Sequence, residues 1–367
     1  MVKTFTRASV APGARTLTAE WYLSPEIHAR EDDRIFSRSW IYAAREEDFA
    51  EPGSFVACEI AGESLIITRD QQGTLHAFYN VCRHRGTRLC TEDRGLFKGT
   101  IQCPYHAWTY GLDGKLRVAR NMDGVAGFDP AEYPLREASV ASFEGFIFAA
   151  LDPRESLGGA FAPLTGRFSA WRLPELRRAA SIAYEAACNW KLVFQNYSEC
   201  YHCPVIHPQL ERLSPSDSGQ NDLLEGPFLG GYSELRDSAT TLNANGKTQR
   251  PLLAGEKNRS RVYYYTVFPS MLLSLHPDYA MVHSVRALDA GHTRITCEWF
   301  FDPLTMRMPD FDCSDAVEFW DLTNRQDWAV SELTQRGVAS RAYTPGPYSQ
   351  QEGLLDAFDR HYKQVMQ

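Results

Sequence analysis

Two short segments carry matched pairs of potential metal ligands. Cys82-Arg83-His84 and Cys103-Pro104-Tyr105-His106 are separated by residues 85–102, and each offers one thiolate and one imidazole. Two cysteines on one iron and two histidines on the other are the ligand set of a Rieske iron-sulfur cluster. The alternative is a tetrahedral zinc site made from the same four residues. Zinc sites of that kind usually pair like with like, so the mixed pairs favour the Rieske cluster.

A second group of ligands follows in the next part of the chain. His202 and His207 are five residues apart, just after Glu199. On a straight helix with about 100° per residue, Glu199 and His202 would lie about 60° apart, and His207 about 140° from His202. We expect Pro204 to break or kink this helix, because proline removes a backbone donor, and so to let His207 turn back. Two imidazoles and one carboxylate around an open position form the facial triad of non-haem iron(II) oxygenases.

Two carboxylates could complete this triad. Glu199 is the nearest in sequence, and Asp327 lies on a helix predicted over 314–336, on one stripe with Trp320 and Val330. A buried carboxylate needs a partner, and iron would supply one. Cys200 and Cys203 flank His202 and could bind zinc or form a redox pair. We interpret them as small packing residues, because no second cysteine pair accompanies them.

The elements around the first ligand pairs are predicted to form a small antiparallel β-domain. Gly95 and Gly99 indicate a hairpin between the two pairs. Residues up to about Phe36 are predicted to be polar and helical, with Pro25 as a helix start. A linker is predicted over Gly158-Gly159 and 163–174. Short apolar or alternating runs separated by turn residues predict strands at 40–44, 55–60, 64–68, 75–79 and 145–151.

The second half of the chain mixes strands and helices, which is typical of an α+β domain. Residues 215–253 give no strong periodic signal, and a loop of that length is usually functional or mobile. The predicted strands cover 180–188, 262–268, 271–275, 281–287 and 293–301, and the predicted helices cover 190–201 and 314–336. The predicted domains are an N-terminal helical segment at 1–39 that packs on the catalytic domain, a Rieske domain at 40–155 and a catalytic domain at 156–367.

Composition excludes several partners. The 367 residues carry a net charge of −8, so no basic surface for nucleic acid is expected. No apolar run has the length needed to cross a bilayer. Residues 1–7 lead into polar sequence without the apolar core of a signal peptide, so we expect the protein in the reducing cytoplasm, with its nine cysteines mostly free.

Together these residues resemble the terminal oxygenase (α) subunit of the Rieske non-haem iron oxygenases, and the resemblance covers nearly the whole chain. The matching segments are Cys82-Arg83-His84-Arg85-Gly86, Cys103-Pro104-Tyr105-His106-Ala107-Trp108, Asn189-Trp190-Lys191, residues 199–207, Asp327 and Gln335-Arg336-Gly337. The resemblance implies an α+β protein, in which a β-sandwich-like Rieske domain is inserted before a helix-grip catalytic domain with a large antiparallel sheet.

The resemblance also implies the roles of the site residues. His202, His207 and Asp327 would bind iron, and Glu199 would link this iron site to the cluster of a neighbouring subunit in a head-to-tail homotrimer. Asn196 is expected to help orient the ligands. The cofactors would be one 2Fe-2S cluster and one mononuclear Fe(II), with O2 as cosubstrate. No Gly-x-Gly-x-x-Gly follows a strand, so NAD(P)H is expected to act through a separate flavin and iron-sulfur reductase.

The substrate is predicted from one departure from the family pattern. Many ring-hydroxylating members carry aspartate where this chain has Glu199, which is similar to the branch that oxidises choline, carnitine, glycine betaine and stachydrine. The predicted activity is therefore hydroxylation or N-demethylation of a small quaternary ammonium compound. An aromatic cage could come from Tyr263, Tyr264, Tyr265, Phe268 or Trp299. The alternatives are a ring-hydroxylating oxygenase acting on an aromatic acid, and a Rieske electron carrier or zinc-stabilised binding protein.

Overall fold

The chain folds into two units in a computed structural model that describes residues 4–248 and 250–367, without the side chain of Lys257. One unit is Asp32–Thr165, and the other combines the chain up to Glu31 with Gly166–Gln367. The predicted boundaries at 39/40 and 155/156 stay a prediction, although the contacts assign residues 32–39 and 156–165 to the unit that carries the two Cys/His pairs. Residues 1–3 of the predicted N-terminal segment lie outside the described residues.

Helices are few and mostly short. The described helices are α1 Glu20–Leu23, α2 Pro25–Arg34, α3 Leu157–Ala160, α4 Trp190–Tyr197, α5 Cys203–Ile206, α6 Pro208–Glu211, α7 Ser314–Val338 and α8 Gly353–Val365. Single 3-10 turns occur at Phe36–Arg38, Glu46–Phe49, Pro130–Glu132, Ala162–Leu164, Ser169–Trp171, Leu173–Glu175, Glu256–Asn258 and Thr305–Arg307. Within residues 4–248 and 250–367, no helix combines the length and the apolar character that a bilayer span requires.

The unit Asp32–Thr165 is all-β apart from these short turns and α3. Its strands are β1 Ile41–Arg45, β2 Ser54–Ile60, β3 Glu63–Arg69, β4 Leu75–Tyr79, β5 Arg94–Leu96, β6 Thr100–Gln102, β7 Thr109–Gly111, β8 Leu116–Val118, β9 Glu137–Phe143 and β10 Phe146–Ala150. Seven strands form one antiparallel sheet in the order β1-β10-β9-β4-β3-β2-β5, and β6, β7 and β8 form a second sheet. The five strands predicted in this part of the chain are therefore all present.

Both faces of the seven-stranded sheet are covered by apolar cores. Leu65 and Ile67 of β3 belong to one buried cluster, whereas Ile66 between them belongs to a second cluster that also contains Cys82 and Cys103. Successive side chains of a strand point to opposite faces, so a continuous apolar run is what a strand buried on both faces requires. One core therefore lies directly behind the predicted cluster ligands.

The hairpin predicted between the two Cys/His pairs is wrong. The strand β5 pairs with β2, whereas β6 pairs with β7 in the other sheet. The ring of Phe55 lies over Gly95, where an added Cβ would come 2.9 Å from the ring, and it stacks on Phe97 with 4.2 Å between ring centroids. Gly95 therefore allows Phe55 to cover β5, and this long-range contact prevails over the local turn signal.

One further prediction, that of a helical N-terminal segment, needs correction. The segment is not helical throughout, because residues 4–19 contain no α-helix, although α2 does begin at Pro25 as predicted. The predicted linker contains the boundary between the two units at 165/166, and it includes parts of α3 and 3-10 turns whose apolar side chains are buried. These buried residues are Leu157, Phe161, Leu164, Phe168, Trp171, Leu173 and Leu176. Gly158-Gly159 and the prolines at 163 and 174 are compatible with short turns, which composition alone does not distinguish from a linker.

The second unit is built on a large antiparallel sheet, as predicted. Its strands are β11 Arg177–Ala186, β12 Gln220–Leu223, β13 Phe228–Glu234, β14 Arg261–Val267, β15 Met271–Leu275, β16 Ala280–Asp289 and β17 His292–Phe301. They follow the order β11-β17-β16-β15-β14-β13-β12. The chain thus combines an all-β unit with an α+β unit.

The strands β12 and β13 lie in the region that sequence patterns left as a loop. Gly230 and Gly231 in the middle of β13 hide the strand signal, because glycine is depleted in strands. An added Cβ at Gly230 would lie 2.0 Å from the carbonyl oxygen of Tyr264, and one at Gly231 would lie 1.9 Å from that of Gln220. Close packing of β13 against both neighbouring strands therefore requires the two glycines.

Polar side chains tie the long helix α7 to the sheet. The hydroxyl of Tyr184 on β11 donates to Asp321 (2.8 Å), and the imidazole of His283 on β16 donates from Nε2 to the amide oxygen of Asn324 (3.0 Å). Both partners on α7 are within two turns of Asp327, so these bonds help to determine where that carboxylate lies.

A buried ion pair joins the N-terminal helix α2 to α4 and α8. Glu31 accepts hydrogen bonds from the indole of Trp190 (3.0 Å) and the hydroxyl of Tyr362 (2.5 Å), and it pairs with the ammonium group of Lys191. The side chains of Glu31 and Lys191 are completely buried. Burial tends to raise the pKa of Glu31, but its partners outweigh burial and lower that pKa to about 2. The carboxylate is therefore ionised in the folded chain.

We expect Glu31→Gln to destabilise the unit by about 3–5 kcal/mol, because it leaves the ammonium of Lys191 buried without a counter-charge. The measurement is the free energy of unfolding from urea titration followed by circular dichroism. The control is Glu26→Gln on the exposed face of α2, which should unfold like the wild type. Equal stability of both variants would contradict the assignment of this ion pair to the core.

Candidate metal centres

The two Cys/His tips share one backbone turn. At the first tip, the Cys82 N–H donates to the Thr87 carbonyl (2.8 Å) and the Gly86 N–H donates to the Cys82 carbonyl (3.0 Å). At the second tip, the bonds from Cys103 to Trp108 (2.8 Å) and from Ala107 to Cys103 (3.1 Å) repeat this pattern. Gly86 and Ala107 occupy equivalent left-handed positions, with φ of 75° and 55°. The repeated turn places the two cysteines at equivalent positions, with His84 two residues after Cys82 and His106 three residues after Cys103.

The four side chains separate into a buried and an exposed pair. Cys82 and Cys103 are buried, whereas His84 is exposed and His106 half-buried, with 4.7 Å between the two imidazole centroids. Trp108 stacks on His84 at 4.8 Å, and Tyr110 hydrogen-bonds the Cys82 sulfur at 3.3 Å. This arrangement fits a 2Fe-2S cluster with an inner iron on the thiolates and an outer iron on the imidazoles.

The pKa of His84 is consistent with a neutral imidazole ligand. Desolvation, helped by His106 and Arg85, lowers this pKa. Neutral histidines in place of two thiolates make a cluster less negative and raise its potential. Because His84 and His106 are less buried than the two cysteines, they would form the exit for electrons.

His202, His207 and Asp327 come together in the second unit. Each offers one ligand atom, and these atoms lie within 4.8 Å of one another. The Oδ1 atom of Asp327 is 2.8 Å from Nε2 of His207 and 3.3 Å from Nε2 of His202. Among residues 4–248 and 250–367, His202, His207 and Asp327 form the one group of three or more His, Cys, Asp or Glu residues whose ligand atoms are close enough to hold one metal ion.

The other nitrogen of each imidazole is held in place. His202 Nδ1 lies 2.6 Å from Oε1 of Glu199, and His207 Nδ1 lies 2.8 Å from Oε1 of Gln326. Because carboxylate and amide oxygens accept hydrogen bonds, both Nδ1 atoms carry a proton. Each Nε2 atom, which faces Asp327, would then offer its lone pair to a metal bound there. Sequence reasoning missed Gln326, whose only signal is its position next to Asp327.

Glu199 is therefore a partner of one ligand rather than part of the three-atom group. Its Oε2 accepts the backbone N–H of His202 (3.2 Å) and that of Tyr201, which fixes the carboxylate. Asn196 lies in the wall of the same cavity. Since the two Nδ1 atoms are bonded to Glu199 and Gln326, an orienting role for Asn196 stays a prediction.

The backbone brings the two histidines together in a different way from the predicted kink. The helix α4 already ends at Tyr197, four residues before the predicted end, and Pro204 lies in the first turn of α5. A missing N–H has no cost in a first turn. His202 and His207 bracket this one-turn helix, and their ring centroids are 5.1 Å apart.

Cys200 and Cys203 form a disulfide, which corrects their interpretation as separate packing residues. The bond closes the loop 200–203, which contains His202 and follows Glu199 directly. The two sulfurs are therefore not free thiols that could bind zinc in this structure.

The electrostatics of the three-atom group favour a bound cation. Burial tends to lower the pKa of His202, but Asp327 and Glu199 outweigh burial and raise it to about 10. Burial likewise disfavours ionisation of Asp327, yet hydrogen bonds from His202 and His207 lower its pKa. Two histidines and one carboxylate with a free side are the donor set of a non-haem iron site.

The free side of this group faces a cavity of about 160 Å³. Its buried end contains Trp320, Trp328 and His283, and burial lowers the pKa of His283 to about 4, so that imidazole is neutral. Tyr197 lies between Tyr264 (6.0 Å between centroids, 78°) and His283 (6.1 Å, 70°). The ring of Tyr197 is therefore nearly perpendicular to each of the other two rings.

Of the five residues predicted as candidates for an aromatic cage, Tyr264 alone lines the cavity, and the cage itself stays a prediction. Tyr264 lines the cavity, whereas Tyr263, Tyr265, Phe268 and Trp299 are not among its lining residues. Tyr263 and Tyr265 flank Tyr264 on β14, and alternate residues of a strand point to opposite faces. Sequence reasoning did not name Tyr197, Trp320 and Trp328 as lining residues, although it placed Trp320 on the same helix stripe as Asp327.

Family models match both parts of the chain. The model of the ring hydroxylating alpha subunit (catalytic domain) matches residues 173–367, and that of the Rieske 2Fe-2S domain matches residues 39–129. The second match contains both Cys/His tips, and the first contains His202, His207 and Asp327.

Individual proteins resemble the chain over most of its length. The glycine betaine monooxygenase oxygenase subunit of Chromohalobacter salexigens is 30% identical over 95% of this chain and 85% of its own. The carnitine monooxygenase oxygenase subunit of Acinetobacter baumannii is 36% identical, with coverages of 90% and 87%. A quaternary ammonium Rieske monooxygenase, whose structure is described as giving insights into carnitine oxidation by gut microbiota and inter-subunit electron transfer, shares 26% identity at a TM-score of 0.82, with 96% of each chain covered.

Proposed function

Since the chain belongs to the Rieske non-haem iron oxygenases as a terminal oxygenase (α) subunit, we propose that it hydroxylates an N-methyl group of a small quaternary ammonium compound. The observation that carries this proposal is the cavity, in which aromatic faces lie beside a two-histidine, one-carboxylate group. Relatives named for glycine betaine and carnitine support the same class of substrate.

The chain's own residues provide two sites for iron. Cys82 and Cys103 would hold one iron of a 2Fe-2S cluster and His84 and His106 the other, while His202, His207 and Asp327 would hold a single iron. The cluster supplies electrons one at a time, and the single iron supplies activation of O2 for C–H hydroxylation. Gln326 and Glu199 keep Nε2 of each imidazole directed at the metal position.

In this proposal, Glu199 also links the iron site to the cluster of a neighbouring subunit. It is half-buried and bonded to His202, while His84 and His106 are the exposed part of the cluster tips. In a head-to-tail homotrimer, the cluster histidines of one copy would approach Glu199 of the next. The inter-subunit electron transfer described for the similar monooxygenase supports this arrangement.

The aromatic residues in the cavity wall are the reason for proposing a cationic substrate. A trimethylammonium group is attracted to the faces of Trp and Tyr rings, and Tyr197, Tyr264, Trp320 and Trp328 present such rings beside the metal ligands. Burial raises the pKa of both Tyr197 and Tyr264, so these phenols are neutral. The attraction comes from ring faces and from the nearby carboxylates of Glu199 and Asp327.

The proposed reaction balances with an external reductant. One N-methyl group, O2, NAD(P)H and a proton give an N-hydroxymethyl compound, water and NAD(P)+. The N-hydroxymethyl group then breaks its C–N bond to release formaldehyde and the demethylated amine. A separate NAD(P)H-dependent reductase must supply the two electrons. The proposal also places the protein in the cytoplasm, where NAD(P)H is available.

We expect the holoenzyme with a generic reductase to release one formaldehyde for each NAD(P)H consumed when it is given trimethylammonium compounds. Formaldehyde and NAD(P)H are measured for glycine betaine, carnitine and choline against a set of aromatic acids. Hydroxylated aromatic products without formaldehyde would instead favour the ring-hydroxylating alternative. Zinc, or two irons only in each chain, would favour an electron carrier or a zinc-stabilised binding protein.

A further inference from the structure

We propose that Arg7 binds the carboxylate group of the substrate and so selects trimethylammonium carboxylates over neutral or purely cationic compounds. Of the described residues that line the cavity, Arg7 is the one lysine or arginine. The inference deepens the function proposed above, on which it rests for the orientation of the substrate.

Two chemically different groups of residues line the cavity. One group is buried or half-buried and combines aromatic rings with the metal ligands and the carboxylates of Asp327 and Glu199, which suit a cation. The other group consists of Arg7, Gln350 and Gln351, which are all exposed. A compound that carries both a quaternary ammonium and a carboxylate would find a complementary group for each of its charges.

Backbone pairing determines where Arg7 lies. Thr6 forms an antiparallel bridge with Asn221 of β12, with hydrogen bonds of 2.7 Å from the Thr6 N–H and 2.6 Å from the Asn221 N–H. The Ala8 N–H donates to the side-chain oxygen of Asn221 at 3.2 Å. Arg7 is thus held between two anchored neighbours at the edge of the large sheet.

Packing reinforces this position on both sides. The ring of Phe5 packs edge-on against Tyr232 with 4.8 Å between centroids. A Cβ at Gly353 would lie 2.2 Å from the Ala8 carbonyl oxygen, so the glycine that begins α8 allows the segment to pass. Residues 5–8 are therefore an ordered part of the cavity wall.

The guanidinium of Arg7 keeps donors for a ligand. One of its amino groups donates to the backbone carbonyl of Asp217, and no carboxylate among the described residues forms an ion pair with it. A guanidinium has five N–H donors in a planar fork that matches a carboxylate. By contrast, Arg167, Arg178 and Arg250 in the same unit are each paired with an acidic side chain.

The test compares two trimethylammonium substrates of equal length that differ in their terminal group, namely glycine betaine and choline. In Arg7→Gln, we expect KM for glycine betaine to rise roughly tenfold, because a hydrogen bond to a charged group is lost, with kcat little changed. KM for choline should stay at its wild-type value. Arg7→Lys should fall between, since it keeps the charge but not the planar fork.

Arg15→Gln is the matched control, because Arg15 is another exposed arginine of the N-terminal segment whose guanidinium donates to a backbone carbonyl, that of Pro345 (3.0 Å), away from the cavity. It should behave like the wild type. The visible cluster spectrum and the iron content of each variant verify that the holoenzyme is intact. Equal changes of KM for both substrates in Arg7→Gln, or none, would overturn the inference.

A binding experiment tests the carboxylate site even if the proposed function is wrong. If the wild type demethylates no quaternary ammonium compound, binding of acetate and of acetamide to the holoenzyme is followed by tryptophan fluorescence. Weaker binding of acetate but not of acetamide in Arg7→Gln would then still support a carboxylate site. Unchanged binding of both ligands would refute it.

Discussion

Replacing Asp327 by alanine is expected to abolish turnover while leaving the visible spectrum of the Rieske cluster intact. The Oδ1 atom of Asp327 lies 2.8 Å from His207 and 3.3 Å from His202, so the change removes the carboxylate from the proposed iron site. The four proposed cluster ligands belong to the separate unit Asp32–Thr165 and are untouched by the change.

The measurement combines metal analysis with activity. The wild type should contain about three irons and two acid-labile sulfides in each chain, and Asp327→Ala about two irons with both sulfides. Glu318→Ala, an exposed acidic residue on the same helix α7, is the matched control and should keep all three irons and full turnover. Loss of the visible spectrum in Asp327→Ala would mean that the aspartate supports folding rather than iron.

Replacing Glu199 by glutamine is expected to lower reductase-driven turnover by roughly 10- to 100-fold without loss of either metal centre. Glutamine can still accept the hydrogen bond from His202 Nδ1, which is 2.6 Å long in the structure. It removes the negative charge, however, and Oε2 no longer accepts the backbone N–H groups of Tyr201 and His202. Glu199→Asp keeps the charge and should recover part of the rate.

Hydrogen peroxide distinguishes two ways in which Glu199 could act. Peroxide supplies the oxygen atom and both electrons at once, so product formation from it does not need electrons from the cluster. If Glu199 mainly assists electron delivery between subunits, peroxide-driven product formation in Glu199→Gln should stay close to the wild-type rate. An equal fall of both rates would show that Glu199 acts only by orienting His202.

Local patterns were sufficient to predict that the residues of each cluster tip, and the two histidines, lie close together. Cys82 and His84 lie in one turn, as do Cys103 and His106, and the turns repeat the same hydrogen bonds. His202 and His207 bracket a single helical turn. In each case the residues are within five positions of one another, so few backbone conformations are available and the spacing itself carries the information.

Sequence reasoning failed where a residue's partner is far away in the chain. The strand β5 found its partner in β2 rather than in β6, and the glycines of β13 concealed a strand that is needed for close packing between two neighbours. Four of the five residues proposed for an aromatic cage do not line the cavity, because composition does not reveal which face of β14 meets it. Cys200 and Cys203 were interpreted as packing residues, whereas they form a disulfide in the structure.

The sequence by itself therefore determined the class of chemistry: two cysteines and two histidines at matched tips, two further histidines, and two candidate carboxylates. Only the tertiary structure decided between those carboxylates. It places Asp327 against both Nε2 atoms and Glu199 against one Nδ1 atom, because Tyr184 and His283 hold α7 on the sheet. The tertiary structure also places Gln326 in hydrogen-bond contact with His207. It brings Arg7 into the cavity wall next to β12, although roughly 200 residues separate the two in the chain. Contacts between distant segments depend on how the whole core packs, and no local spacing encodes them.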